Sequence, residues 1–254
     1  MIKISLIGSG NVAHHLIHAF ESSSEIELVQ VFARRKKSVQ IDISEEKIIS
    51  DYKQLKQADL YIISVSDDAI VEVSNNLPFS DQLVVHTSGT KPMNILSDNN
   101  RKGVFYPLQT FSKSKVVDFK EIPICMETEN PEDLKLLHKV ANLISDKVFE
   151  IDSEKRKALH VAAVFVSNFV NHLYRIGEEI CQENAIPFEV LKPLIVEVAD
   201  KINYLNPKDA QTGPAQRGDR QTINVHLEFL KDNPNQQEIY QLLTQAILDK
   251  NEKL

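Results

Sequence analysis

The sequence is short of cysteine, glycine, tryptophan and positive charge. Its 254 residues hold two cysteines, seven glycines and no tryptophan. Cys125 and Cys181 form no metal or redox spacing. They read as reduced core thiols of a cytoplasmic protein, with metal ligation as the alternative. Acidic side chains outnumber basic ones by 36 to 29, for a net charge of -7. That balance argues against a nucleic-acid partner or an anionic membrane surface, both of which select for basic patches. Long apolar runs are missing too. The longest, from Ala158 to Val170, is too short to span a bilayer and contains His160, Ser167 and Asn168. No secretory leader is expected, because Met1 to Ile7 lacks a basic start and runs straight into glycine.

Scarce glycine makes its placement informative. Gly8 and Gly10 stand one residue apart, directly after the first strand-like run, and Gly213 and Gly218 share one short loop. Glycine lets a ligand or another backbone come close, so chemistry is expected at these two places.

Ile2 to Ile7 is apolar and β-branched, the pattern of a buried strand. Further strands are expected at Glu27 to Ala33, Ile48-Ile49, Leu60 to Val65, Leu83 to His86, Val104 to Tyr106, Ile122 to Met126 and Val148 to Ile151. Helical segments fall between them, at Asn11 to Phe20, Ala69 to Asn76 and Glu132 to Ser145. This alternation specifies an α/β doubly wound, mostly parallel sheet. After Asp152 no convincing strand follows. A long helix from Ser153 to Glu183 is expected, then helices over Phe188 to Leu205, Asp219 to Leu230 and Asn235 to Asn251. The expected organisation is an α/β domain over 1–152 and an all-α domain over 153–254.

Gly8-Ser9-Gly10-Asn11-Val12-Ala13, between a strand and a helix, is the glycine-rich fingerprint of the Rossmann fold, with alanine in the third small place. The first glycine makes the turn, the second admits a pyrophosphate, and the third small residue lets helix and strand pack closely. A tight turn that merely contains two glycines is the plainer alternative. NAD sites place an acid about 20 residues on. Here Ala33 is followed by Arg34-Arg35-Lys36-Lys37, so the position favours NADP over NAD, with Arg34 and Arg35 on the 2′-phosphate. A solvated basic loop is the alternative. Val65 and Ser66, at the end of a later strand, are expected along the same cofactor.

Several segments carry a family resemblance. They are Ser66-Asp67-Asp68-Ala69-Ile70, His86-Thr87-Ser88-Gly89, Tyr106 to Phe111, His160 to Asn168, Thr212-Gly213-Pro214-Ala215 and Arg217-Gly218-Asp219. With the fingerprint and the helical second half, they make the chain similar to a family of bacterial proteins that couples a Rossmann-like NADP-binding domain to a C-terminal domain of unknown function. More distantly it resembles pyrroline-5-carboxylate reductase, prephenate dehydrogenase and the deazaflavin-dependent NADP oxidoreductases, in the superfamily with a 6-phosphogluconate-dehydrogenase-like helical domain. The resemblance covers nearly the whole chain. It implies a nicotinamide cofactor and a proton donor on the long helix. In the relatives that donor is commonly a Lys with an Asn one turn later, a pair this sequence lacks.

In doubly wound sheets ligands lie beyond the strand ends, which points to Thr87 and Ser88. Ser88 is either a substrate or carboxamide contact or a turn-former, and Asp67 and Asp68 fit helix capping better than catalysis. The long helix is apolar nearly all round, so burial is expected. At roughly 100° per residue His160, Ser167 and Asn171 form one stripe, with Arg175 beside it and Asn168 at its edge. His160 is either a general acid or a histidine tied to a backbone carbonyl. Arg217 is a candidate clamp for an anionic substrate in a loop expected to face the cofactor, Asp219 an equally good helix cap, and His226 a passenger on the helix that follows. The expected function is NADP-dependent hydride transfer with a small carbonyl or imine substrate. His160 would move the proton, Ser88 and Asn168 would assist it, and Asn171 and Arg217 would hold the substrate. A non-catalytic NADP-binding or redox-sensing protein of the same fold is the alternative. A homodimer through the helical domain is expected.

Overall fold

A computed structural model describes residues 1–39, 43–115 and 117–252. These form two compact units, residues 1–167 and 168–254. The change of sequence pattern at 152 coincides with the start of the long helix, and the division between units falls further along that helical stretch.

The first unit is built on one eight-stranded sheet. Its strands are β1 (Ile2–Ile7), β2 (Ile26–Phe32), β3 (Ile48–Ile49), β4 (Leu60–Ile63), β5 (Leu83–His86), β6 (Arg101–Pro107), β7 (Ile124–Thr128) and β8 (Val148–Glu150). They lie in the order β3-β2-β1-β4-β5-β6-β7-β8. All neighbours are parallel except β6 and β7, which pair antiparallel with Tyr106 opposite Cys125. The order reverses direction at β1, so the strand ends of β1 and β4 open a crevice.

Such a sheet must be covered on both faces, which explains its near-continuous apolar strands. Against one face, α1 (Asn11–Glu21) and α3 (Pro131–Ile144) bury Leu16, Phe20, Leu137 and Val140 among Leu6, Leu28 and Phe105. Against the other, α2 (Ile70–Asn75) brings Ile70 to Ile7, Phe32, Ile63 and Val84. The expected helix at Ala69 begins instead as a tight 3₁₀ turn over Asp67–Ala69. No side-chain cap closes that turn. Asp67 accepts the Thr90 hydroxyl at 2.6 Å, and Asp68 is exposed, so neither carboxylate has the capping role expected of it.

The long helix runs as α4 (Ser153–Ala163), a π-turn (Val164–Phe169) and α5 (Val170–Glu183). Asp152 caps it by accepting from the Lys155 N–H at 2.8 Å. The expectation that it is buried is overturned. Val161, Phe165, Val166 and Phe169 are 53%, 62%, 75% and 50% exposed. The π-turn is wider than an α-helical turn and advances by less than 100° per residue. The count that aligned His160 with Ser167 and Asn171 therefore does not carry through it.

In the second unit, α6 (Lys192–Lys201), α7 (Pro207–Ala210), α8 (Arg220–Phe229) and α9 (Pro234–Glu252) follow α5, with no strand among the described residues. Asp219 caps α8 through the Thr222 N–H at 3.1 Å, and Gly213 and Gly218 take positive φ in the loop before it. His226 Nδ1 and the Tyr240 hydroxyl, 2.8 Å apart, tie α8 to α9.

Candidate active site

A cleft of about 1020 Å³ opens along the strand ends of the first unit. Its floor is the turn from β1 into α1. Gly8 sits at φ +140°, where a Cβ atom would fall 1.9 Å from the Ser64 carbonyl oxygen, so no other residue fits. Gly10 has open space where a Cβ would stand. Ala13 is fully buried, as close helix–strand packing requires. α1 starts with no side-chain cap and no acid in its first turn. Its leading N–H groups and the positive end of its dipole are left for an anion. Ser9, Asn11 and Val12 line the cleft around this start. Ser9 Oγ meets Ser38 Oγ at 2.7 Å, and Asn11 Nδ2 donates to the Phe111 carbonyl at 3.0 Å. A pyrophosphate fits this cradle.

Beyond β2 the cleft is lined by Arg34 and Arg35, both exposed and without a carboxylate partner among the described residues. Tyr52, stacked on Phe32 with ring centroids 4.1 Å apart, forms the wall beside them. Val65 and Ser66 continue the wall after β4. Among the described residues the cleft's carboxylates are Asp67 and Glu72, and neither follows β2, where an NAD-selective acid would stand. From β2 to β6 the sheet order takes four inter-strand steps of about 4.8 Å, roughly 19 Å, a span that accommodates an extended dinucleotide.

At the β5–β6 end the cleft meets Thr87, Ser88, Gly89, Tyr106 and His160. Tyr106 Oη and His160 Nδ1 are 3.0 Å apart. Burial, with a smaller contribution from Cys125, pushes the Tyr106 phenol up to about 12, so it keeps its proton. A Cβ on Gly89 would lie 2.5 Å from His160 Nδ1 and 2.8 Å from the Tyr106 ring, so this pair requires glycine there. Ser88 is occupied with the turn: its Oγ accepts from the Thr90 and Lys91 N–H groups at 3.1 and 3.0 Å. Its own N–H donates to His86 Nδ1 at 3.1 Å. That bond puts the His86 ring proton on Nε2, which faces the Pro92 carbonyl at 3.3 Å. Burial first, and Arg156 second, pull the His86 pKa down to about 4.

One turn before His160, Arg156 is fully buried. It donates to Glu127 at 2.7 Å, to the Lys91 carbonyl at 2.6 Å and to Ser153 Oγ at 3.2 Å. This network pins the start of α4 to β7 and to the loop after β5, and so fixes where His160 sits. Neither Tyr106 nor Arg156 was marked as a site residue by sequence reasoning.

The structure thus gathers Gly8 to Ala13, Arg34, Arg35, Val65, Ser66, Ser88 and His160 around one cleft, with Ala13 packed behind the turn. Asn168, Asn171 and Arg217 belong to the second unit and are exposed there, with Arg217 Nη2 at 4.0 Å from Asp219. Both cysteines are buried and free, and burial raises the Cys125 thiol to about 11.

This fold and this cleft define a dinucleotide-binding protein of the Rossmann type. Residues 122–247 match the domain of unknown function DUF2520. A protein from Bacteroides fragilis, assigned as an NADP oxidoreductase, is 40% identical over 98% of both chains, with a TM-score of 0.87. The chain belongs to the family that joins a Rossmann-like NADP-binding domain to this helical domain. Its fold extends to more distant structures. The pyrroline carboxylate reductase of Plasmodium falciparum, solved with NADP bound, is 15% identical over 98% of this chain and 96% of its own, with a TM-score of 0.63. The reductive aminase of Aspergillus terreus, solved with NADPH and ethyl levulinate, is 13% identical over 100% and 94%, with a TM-score of 0.69. No curated protein matches the sequence. No helix among the described residues is long and apolar enough to cross a membrane.

Proposed function

We propose that this protein is an NADP-dependent oxidoreductase that acts on a small carbonyl or imine compound. The observation that carries this reading is the Tyr106–His160 hydrogen bond, in the wall of the same cleft as the glycine turn. When bound, the nicotinamide supplies hydride transfer, the part of the chemistry that side chains cannot perform. The N–H groups at the start of α1 hold the pyrophosphate, and Arg34 and Arg35 grip a 2′-phosphate. Tyr106 rests as a phenol and donates to His160 Nδ1, so the imidazole carries its proton on Nε2. When that proton is given to a substrate oxygen or nitrogen, the phenol proton passes to Nδ1, and solvent then restores the phenol. Ser88 acts by shaping the turn beside this pair. On residue type, we assign Asn168 to positioning and Asn171 and Arg217 to the substrate, the guanidinium suiting an anionic group.

The related structures support this reading, since they include an assigned NADP oxidoreductase, an NADP-bound pyrroline carboxylate reductase and an NADPH-bound reductive aminase. A homodimer through the second unit belongs to the same proposal. It is supported by exposed Val190, Leu194, Val196, Val198, Phe229 and Leu242, an apolar surface of the kind partners cover.

The test follows NADPH oxidation with a panel of small ketones and cyclic imines. His160→Ala should bind NADPH as the parent does and lose about 10²–10⁴ in turnover, the span of general acid catalysis. Unchanged turnover would remove the proton-transfer role. NADPH binding without turnover on any member of the panel would leave a nucleotide-binding protein.

A further inference from the structure

A second, smaller cavity of about 390 Å³ lies along α1 and shares no residue with the dinucleotide cleft. One wall is a ladder of histidines, His14, His15 and His18. His14 packs edge-on against both others, with ring centroids 5.3 and 4.9 Å apart. His15 is already engaged, its Nε2 lying 3.0 Å from the Ser112 carbonyl. His14 is not engaged: its Nδ1 is shut off from solvent and has no hydrogen-bond partner.

The opposite rim comes from the loop after β6, through Lys113 and Lys115, with Lys120 a little further on. Lys120 is paired with Asp146 at 3.2 Å, whereas Lys113 and Lys115 have no carboxylate partner among the described residues. Asp118 is the cavity's single acid among the described residues. The carbonyl end of α1 opposes an anion there, but two unpaired lysines outweigh it. Burial first, then His18, His15 and Lys113, hold His14 below its ordinary pKa. Between rim and ladder the cavity is apolar, with Phe119, Leu143 and Val117 in its lining. The chain as a whole carries a charge of -7, so a cationic cavity is a local feature and not a reflection of composition.

From this arrangement we infer a second ligand site: the cavity between His14, His18, Lys113 and Lys115 takes a small organic anion, with its apolar body on Phe119 and Leu143 and its anionic head at the lysines. The head is a phosphate or carboxylate, and the cavity is too small for a dinucleotide. The site lies beside the cofactor turn on the same helix. The loop that bears Lys113 is also tied to α1 through Asn11 and His15.

Phenyl phosphate is the probe, with inorganic phosphate as the comparison for the head alone. The whole chain, labelled at its histidine rings, is titrated by NMR. Saturable shifts at His14 and His18 are expected, with phenyl phosphate binding more tightly than inorganic phosphate. Lys113→Ser/Lys115→Ser removes two surface charges and leaves the core intact, and should weaken binding about tenfold. Absence of a saturable His14 or His18 shift, equal binding by the double variant, or shifts confined to His160 of the dinucleotide cleft would each overturn the site. Equal affinity for the two phosphates would overturn the apolar half of it.

Discussion

The two units of this chain differ in where their apolar side chains go. In the first, Leu6, Leu16, Phe20, Ile63, Phe105 and Leu137 are all closed off beneath helices. In the second, the large apolar residues Leu194, Val196, Val198, Val225, Phe229 and Leu242 stay more than half exposed, and Ile223, Leu230 and Cys181 are among the few that are buried. A single chain is therefore enough to build the sheet and its dinucleotide cleft. The helical unit presents a surface that makes physical sense when a partner covers it. Chemistry that depends on the first unit should respond to single substitutions, and the second should respond to changes in association.

The sharpest way to break this contrast is at the glycine turn. Gly8→Ala places a Cβ 1.9 Å from the Ser64 carbonyl oxygen at φ +140°. It should cost on the order of 4 kcal/mol in chemical denaturation and abolish dinucleotide binding. A variant of parental stability would mean the turn relaxes freely. Arg156→Met comes next. It strands Glu127, whose partner is only 1% exposed, and should cost about 3 kcal/mol. Arg156→Met/Glu127→Met should recover most of that loss. A double variant no more stable than the single would locate the cost in packing rather than charge.

The third test uses pH. His86 has a folded pKa of about 4, below its ordinary 6.5. Between those values the unfolded chain binds a proton that the folded chain refuses. Stability therefore falls as pH drops from 6.5 toward 4, by up to roughly 3 kcal/mol, and this loss stops growing below 4. Denaturation midpoints across this range should show the slope in the parent and a reduced slope in His86→Asn. Equal slopes would assign the acid sensitivity elsewhere. The smallest effect belongs to the second unit. Val196→Lys or Leu242→Lys should change unfolding of the chain by less than about 0.5 kcal/mol while weakening self-association in analytical ultracentrifugation. A monomeric parent, or a dimer indifferent to both changes, would place the partner surface elsewhere.

Much of the first unit could be read from sequence because its constraints are local. The β1 turn needs Gly8 at positive φ and a small Ala13 behind it, and both requirements sit within six residues of a β-branched run. The basic residues after β2 follow from a fixed offset in the same motif. His160 was legible as a polar residue in an apolar helix. Tyr106 was not, because the bond to His160 spans 54 positions and forms only when β6 and α4 meet. Arg156 was hidden by its neighbours: within Glu154-Lys155-Arg156-Lys157 nothing marks one cation as the one that goes inside. Its signal is the spacing of one helical turn from His160. The exposure of the long helix was misread because apolar composition states that a surface will be covered, and not by what. The π-turn at Val164–Phe169 has no signature in residue type, and it displaced the α-helical count.

The central claim is that the cleft of the first unit holds NADP and selects it through the loop after β2. The most direct measurement is a fluorescence titration of the protein with NADPH and NADH, repeated on Arg34→Ala/Arg35→Ala. The parent should bind NADPH more tightly than NADH. The double variant should lose about tenfold or more in NADPH affinity, the loss of charge-assisted contacts to a 2′-phosphate, and leave NADH unchanged. Equal affinities in the parent, or a double variant that still prefers NADPH, would contradict it.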